Sequence, residues 1–309
     1  MKKILSVLLA SVIMLTVAGC SEIEYNTTEP VPTDYPVTVS EVEFTAAPSS
    51  VASLSPALTE MVFELGYGDK LIGRSVYCDY PAQVSGIIDI GSAAKPKIPK
   101  IIAMKPELLI TQSPIAKTDK DALEAAGIKV VVFSSPDNVA ELHGTYEELS
   151  AIFGGKLNAE AAADNCMNGL ATALSQVSPD GSFAYLMTYD YGTATGDTLA
   201  GEILSYFGEN IADENENYKF SSEQLVENNP DKILISSDIS IDGFDAEVGE
   251  LDAVKSGRCI VIDNSCFERP TSRNLTEFVA EFGNMISALP ELQESTEEPE
   301  ETEAPEENE

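Results

Sequence analysis

The sequence predicts an α/β protein of two doubly wound lobes joined by one long connecting helix, with a ligand cleft between the lobes. Three observations carry this prediction. Short β-rich runs alternate with helical stretches from residue 49 to residue 291. Some of those runs, Leu108-Leu109-Ile110 and Val130-Val131-Val132-Phe133, are apolar without interruption. Strands of a parallel sheet covered on both faces read that way. One unbroken helical pattern, 156–178, divides the alternation into two halves that do not repeat in sequence.

In the first lobe, 49–155, strands are predicted at 51–55, 71–75, 87–90, 107–111 and 129–134. Helices fall between them at 56–65, 99–104, 117–126 and 138–153. Pro56 and Pro99 suit a first helical turn, whose N–H groups have no partner in any case. Gly66, Gly127 and Gly154 end helices as C′ residues do. The connecting helix stops at Ser178-Pro179-Asp180-Gly181, a turn sequence. The second lobe, 179–291, has strands at 183–188, 232–236 and 259–263. Its helices are at 198–207, 222–227, 250–254 and 271–289. Open α/β sheets bind ligands beyond the carboxyl ends of their strands. The loops after Ser55, Ser75, Gly91, Thr188, Ser236 and Asp263 therefore line the expected cleft.

Composition limits the function. The chain has 309 residues, with 43 % apolar and 23 % charged residues and a net charge of −34. Phosphate binding requires clustered cations, so nucleic acid is excluded as a partner. Ten Glu and no cation occupy the last nineteen residues, and 292–309 reads as a disordered acidic tail. Residues 20–48 hold six acids and no cation and read as a disordered acidic tether. Lys2 and Lys3 precede an apolar run that ends at Val17-Ala18-Gly19-Cys20. The run is short for a membrane span and right for a signal-peptide core. Small residues before the Cys resemble the bacterial lipobox. That implies a signal peptide at 1–19, a lipid on Cys20 and an extracytoplasmic protein anchored to the cell membrane.

Cys78, Cys166, Cys259 and Cys266 allow three full disulfide pairings, all left open. No CxxC spacing occurs and His143 is the only His, so no metal site and no cofactor are expected.

Further motifs carry a resemblance over about 49–290. They are Val51-Ala-Ser-Leu-Ser-Pro-Ala-Leu-Thr-Glu60, Tyr77-Cys-Asp-Tyr-Pro81, Ile90-Gly91 and Ile101-Ile-Ala-Met-Lys-Pro-Glu-Leu-Leu-Ile110. In the second half they are Ser222-Glu-Gln-Leu225, Asn229-Pro-Asp-Lys-Ile-Leu-Ile235 and Phe267-Glu-Arg-Pro-Thr-Ser-Arg273. Together and in this order they resemble the helical-hinge substrate-binding proteins of ABC importers for iron-siderophores, haem and vitamin B12. The resemblance implies a monomeric receptor with a stiff hinge. It would capture an iron chelate, haem or corrinoid and deliver it to a membrane permease without chemistry of its own. Family members dock on permease arginines through one Glu per lobe. Here Glu223 holds the second place, and Pro99, flanked by Lys97 and Lys100, holds the first. The vitamin B12-binding branch also uses Trp in its cleft. This chain has none, and Ala93 and Ala94 stand near one such position.

Within the predicted cleft loops, Tyr77, Tyr80, Tyr189 and Tyr191 are candidate ligand contacts, through ring stacking and hydroxyl hydrogen bonds. Arg269 is a further candidate, because a guanidinium suits carboxylate or phosphate groups on a chelate. Arg273 is expected to pair or cap at the start of the last helix. Two alternatives use the same fold. A surface hydrolase would need Ser53 or Ser55 with His143, but no Gly-x-Ser-x-Gly elbow surrounds either serine. A sensor or interaction lipoprotein without import would account for Pro99.

Overall fold

The computed structural model describes residues 34–290; the signal peptide, Cys20 and the tail at 292–309 lie outside the described residues. Among the described residues, 37–44 depart from the sequence reading of 20–48 as a disordered tether. Strands β1 (Val37–Val39) and β2 (Val42–Phe44) form an antiparallel hairpin pairing Val37 with Phe44. Val37, Val39 and Phe44 are buried. Ser40 and Glu41 make the turn, both at positive φ. The two apolar/polar alternations are too short to stand out in a polar segment. Tertiary burial, with Phe44 in one cluster with Val131 and Phe133, stabilises them. Lys129 lies over the Phe44 ring, 4.6 Å from its centroid.

The first lobe is a five-stranded parallel sheet. Strand β3 (Val51–Ser53) leads into α1 (Pro56–Glu64), where Ser55 caps by accepting from the Leu58 N–H at 3.2 Å and Pro56 opens the first turn. Then come β4 (Leu71–Arg74), β5 (Ile88–Asp89) and a small antiparallel pair, β6 (Gly91–Ser92) with β7 (Lys95–Pro96). Gly91 is fixed in kind, since its φ is +94° and a Cβ would meet the Lys95 carbonyl at 2.4 Å. Helix α2 (Ile98–Met104), β8 (Leu108–Thr111), α3 (Lys117–Ala125), β9 (Lys129–Val132) and α4 (Val139–Gly154) complete the lobe. Strand order is β5-β4-β3-β8-β9. All four residues of β8 are buried, as its unbroken apolar run requires.

The connecting helix is α5 (Ala159–Ser175), after one 3₁₀ turn at Lys156–Asn158. The second lobe follows with β10 (Ser182–Leu186), α6 (Leu199–Ser205), β11 (Glu209–Asn210), α7 (Ser222–Asn228) and β12 (Lys232–Ser236). It ends with α8 (Ala246–Gly249), α9 (Asp252–Lys255), β13 (Cys259–Ile262), α10 (Ser265–Glu268) and α11 (Ser272–Ser287). The sheet is parallel, in the order β11-β10-β12-β13.

The two sheets share a core. Helix α5 packs on both α4 and α11, and Leu58, Tyr146, Leu170, Tyr185, Leu275 and Phe282 belong to one buried cluster. Ala159 and Ala163, both buried, keep the α5 face small against its neighbours. Separating the lobes would expose this apolar seam at about 25 cal/mol per Å². The three helices thus join the two sheets through one buried apolar seam.

Candidate functional site

One cavity of about 430 Å³ lies between the end of β13, the face of α11 and the loop after β4 of the first lobe. From the first lobe, α1 contributes Glu60 and the loop after β4 contributes Asp79 and Tyr80. From the second, Asp263 follows β13, Arg269 follows α10, and Arg273 stands in the first turn of α11. Thr271 caps α11 by accepting from the Asn274 N–H at 3.1 Å, which holds that turn in place.

Two charge contacts cross the cleft. Arg269 Nη1 lies 3.5 Å from Asp79 Oδ1. Arg273 Nη2 lies 2.7 Å from Glu60 Oε2, and its Nη1 lies 2.7 Å from Glu277 Oε2. The same guanidinium lies over the Tyr80 ring, 3.6 Å from the centroid, an arrangement that adds cation–π attraction. Glu60 is buried, with a side chain only 4 % exposed. Burial pushes its pKa up, and the hydrogen bond and charge of Arg273 oppose that.

Glu64, one helical turn after Glu60, continues the polar seam. Its Oε2 accepts from the Tyr146 hydroxyl, which accepts in turn from the Ser272 N–H at 2.9 Å. Its Oε1 is buried without a hydrogen-bond partner. Burial raises the Glu64 pKa above its ordinary 4.5, and Glu60 adds to the rise; Tyr146, Thr271 and Arg273 oppose it. The folded chain thus holds this proton more tightly than the unfolded chain. Stability contributed here is present below the ordinary value and is lost as pH climbs through the raised one. Glu64→Gln keeps an acceptor for Tyr146 and removes the buried charge. It should raise the Tm at pH 8 by about 3 °C, near 1 kcal/mol, and leave it unchanged at pH 4. Thermal melts of both proteins across this range measure it. Parallel profiles would mean that Glu64 does not titrate there.

The structure brings only part of the sequence-predicted set together. Tyr80 and Arg269 line the cavity; Tyr77, Tyr189 and Tyr191 do not. Tyr77 is 66 % exposed in the loop after β4. Tyr189 and Tyr191 sit in the loop after β10 with their rings 5.6 and 5.3 Å from that of Phe244. The Tyr189 hydroxyl accepts from the Ser240 N–H at 3.1 Å, and the Tyr191 hydroxyl donates to Asp245 at 3.1 Å. Glu223 stands exposed in the first turn of α7, where its own backbone N–H and Ser221 hold its carboxyl below the usual range. Glu60 and Asp79 were not singled out from sequence, and Arg273 was expected to pair rather than to wall the cavity. It does both.

Beneath the second-lobe wall, the Tyr185 hydroxyl donates to Asn264, whose Nδ2 donates to Ser236 Oγ at 2.5 Å. This buried network fixes the loop after β13. The four cysteines left open from sequence are free thiols: Cys78, Cys166, Cys259 and Cys266. Burial raises the pKa of each, to about 11 for Cys166 and about 12 for Cys266, which suppresses thiolate reactivity. Ser53 Oγ donates to the Ser55 carbonyl at 2.9 Å and Ser55 Oγ donates to Gln112 at 2.5 Å. His143 pairs with Asp164 at 2.9 Å, in a separate groove beside α4 and α5. Among the described residues no cluster of three or more His, Cys, Asp and Glu side chains is placed to hold a metal ion, and no helix is long and apolar enough to cross a membrane.

Comparison with known proteins gives a consistent result. The periplasmic binding protein family model matches residues 51–265. The vitamin B12-binding protein of Photorhabdus laumondii is 30 % identical over 203 residues, 62 % of this chain and 72 % of that protein. The crystal structure of the periplasmic vitamin B12 binding protein of Vibrio cholerae is similar with a TM-score of 0.57. It is 23 % identical, over 78 % of this chain and 98 % of that one. The periplasmic heme binding protein of Vibrio cholerae has a TM-score of 0.65 at 16 % identity, over 77 % of this chain and 98 % of its own. At these identities the two structures establish a shared fold.

Proposed function

The chain belongs to the periplasmic binding protein family, and we propose that it is the lipid-anchored, extracytoplasmic receptor of an ABC importer for a metal chelate, whether iron-siderophore, haem or corrinoid. One observation carries the reading: a cavity bounded by residues of both lobes, with Tyr80 in the loop after β4 on one side and Arg269 after β13 and α10 on the other. Tyr77, exposed in the loop after β4, and Tyr189 and Tyr191, in the loop after β10, are the further candidate contacts for a ligand larger than the cavity itself. The apolar junction of α4, α5 and α11 suits a receptor that presents much the same two-lobed face to a permease whether empty or loaded. Glu223 on the second lobe is the docking acid. On the first lobe Pro99 fills the corresponding place and Lys97 is engaged by Asp89 at 2.6 Å, so docking rests mainly on the second lobe.

The direct test is calorimetric titration of the purified chain with vitamin B12, haem and ferric siderophores. At least one should bind with micromolar or tighter affinity; silence from all of them, with a normal melt, would sink the receptor reading. The anchor is tested separately. Cys20→Ala, expressed in a bacterial host and fractionated, should leave the membrane pellet. A processed Cys20→Ala protein that stays with the membrane would refute lipidation.

A further inference from the structure

We infer that this cleft selects chelates carrying no net negative charge, so that its ligand is a neutral or cationic complex and not a polyanionic one. The inference rests on the receptor reading and adds the charge class of the substrate.

The cavity wall has two cations, Arg269 and Arg273, and both are engaged. Arg269 faces Asp79 across the cleft at 3.5 Å, and Arg273 is held by Glu60 and Glu277 at 2.7 Å each. Their partners, Glu60, Asp79 and Glu277, line the same cavity. Two further carboxylates of the lining, Asp263 and Glu281, are exposed and have no ion-pair partner among the described residues. The wall thus carries five acids against two cations before any ligand arrives.

The remaining cations nearby do not repair the balance. Arg74 donates to the Val84 carbonyl at 2.8 Å and to the Ser75 carbonyl at 2.9 Å, and it is not part of the lining. Lys95, Lys97 and Lys100 belong to the β6–β7 pair and the start of α2, also outside the lining. A ligand carboxylate or catecholate could pair with Arg273 only by displacing Glu60 or Glu277, and at Arg269 it would sit beside the carboxylate of Asp79. Displacing Glu60 would strand a buried carboxylate without a counter-ion, the costly way to break a pair. Like charges brought together also suppress the wrong partner. A net charge of −34 over the whole chain steers cations, not anions, toward it. On this reading Arg269 serves an uncharged group of the ligand and not the carboxylate or phosphate that the sequence suggests. Neutralised by Asp79, it offers N–H donors to uncharged acceptors such as amide and hydroxamate oxygens.

The test is calorimetric titration of the wild-type chain with four probes at low and physiological salt. Cyanocobalamin is neutral and ferrioxamine B is a ferric hydroxamate with one net positive charge. Haem carries two propionates and ferric enterobactin is a trianionic tris-catecholate. A neutral or cationic probe should bind at least about tenfold more tightly than either anionic one. The double substitution Asp263→Asn with Glu281→Gln, both at exposed positions, should narrow that gap and weaken any salt dependence of ferrioxamine B binding. Tightest binding to haem or to the tris-catecholate, unchanged in the double variant, would overturn the charge selection while leaving the receptor reading intact. Binding of no probe by a normally folded protein would remove both.

Discussion

Replacing Arg273 with Ala should lower the Tm by about 6–12 °C, the equivalent of roughly 3 kcal/mol in a chain of this size. The guanidinium is one-quarter exposed, but its main partner is not: the Glu60 side chain is 4 % exposed and 2.7 Å away. Truncation removes the counter-ion and the cover on Tyr80 together, and leaves a buried carboxylate alone. The pH dependence separates this account from simple loss of packing. Burial already raises the Glu60 pKa and Arg273 restrains it. In the variant Glu60 should take up a proton at higher pH than in the wild type, so the deficit should be largest near pH 8 and shrink on acidification. Adding Glu60→Gln to Arg273→Ala should recover part of the loss at pH 8. Thermal unfolding of the three proteins at pH 5 and pH 8 measures both effects. A deficit of the same size at both pH values, with no recovery in the double variant, would mean that Arg273 acts by packing alone.

The fold was legible because its determinants are local and repeated. Continuous apolar strands, Pro at first helical turns and Gly at helix ends each specify one boundary, and their alternation specifies a wound parallel sheet. The hairpin at 37–44 was not legible, because three-residue strands gain little from propensity and depend on Phe44 reaching Val131 and Phe133 far along the chain. The site divides along the same line. Arg269 and Tyr80 could be placed because both follow predicted strands at the cleft end of a sheet. Glu60 and Arg273 form a pair 213 residues apart in sequence, and neither residue signals the other. Glu60 stands in a helix whose other residues from Ala57 to Val62 are almost all apolar and buried. An acid amid such a buried apolar stretch is the one trace of the pair that sequence carries, since a charge so placed needs a counter-charge.

Arg269→Ala should weaken ligand binding ten- to hundredfold while moving the Tm by about 2 °C or less. The two expectations follow from the same contact. Its pair with Asp79 is long, at 3.5 Å, and exposed, with side chains 35 % and 73 % accessible. Such surface pairs contribute about 0–1 kcal/mol, so the fold loses little. A ligand filling the cavity covers this guanidinium and excludes water from it. Hydrogen bonds from a charged donor contribute roughly 1.5–3 kcal/mol, which corresponds to the stated loss in affinity. Arg269→Lys should recover only part of it, because an ammonium lacks the planar fork that serves two acceptors at once. Asp79→Asn gives the complementary result. It leaves the donors of Arg269 in place but releases their charge, so binding of neutral chelates should fall less than in Arg269→Ala and discrimination against anionic ones should relax. Calorimetry with the best-bound chelate of the panel, run on all three variants, measures this order. Unchanged affinity in Arg269→Ala, in a protein that melts normally, would move the ligand off this wall and turn the search to the loops where Tyr77 and Tyr189 stand exposed.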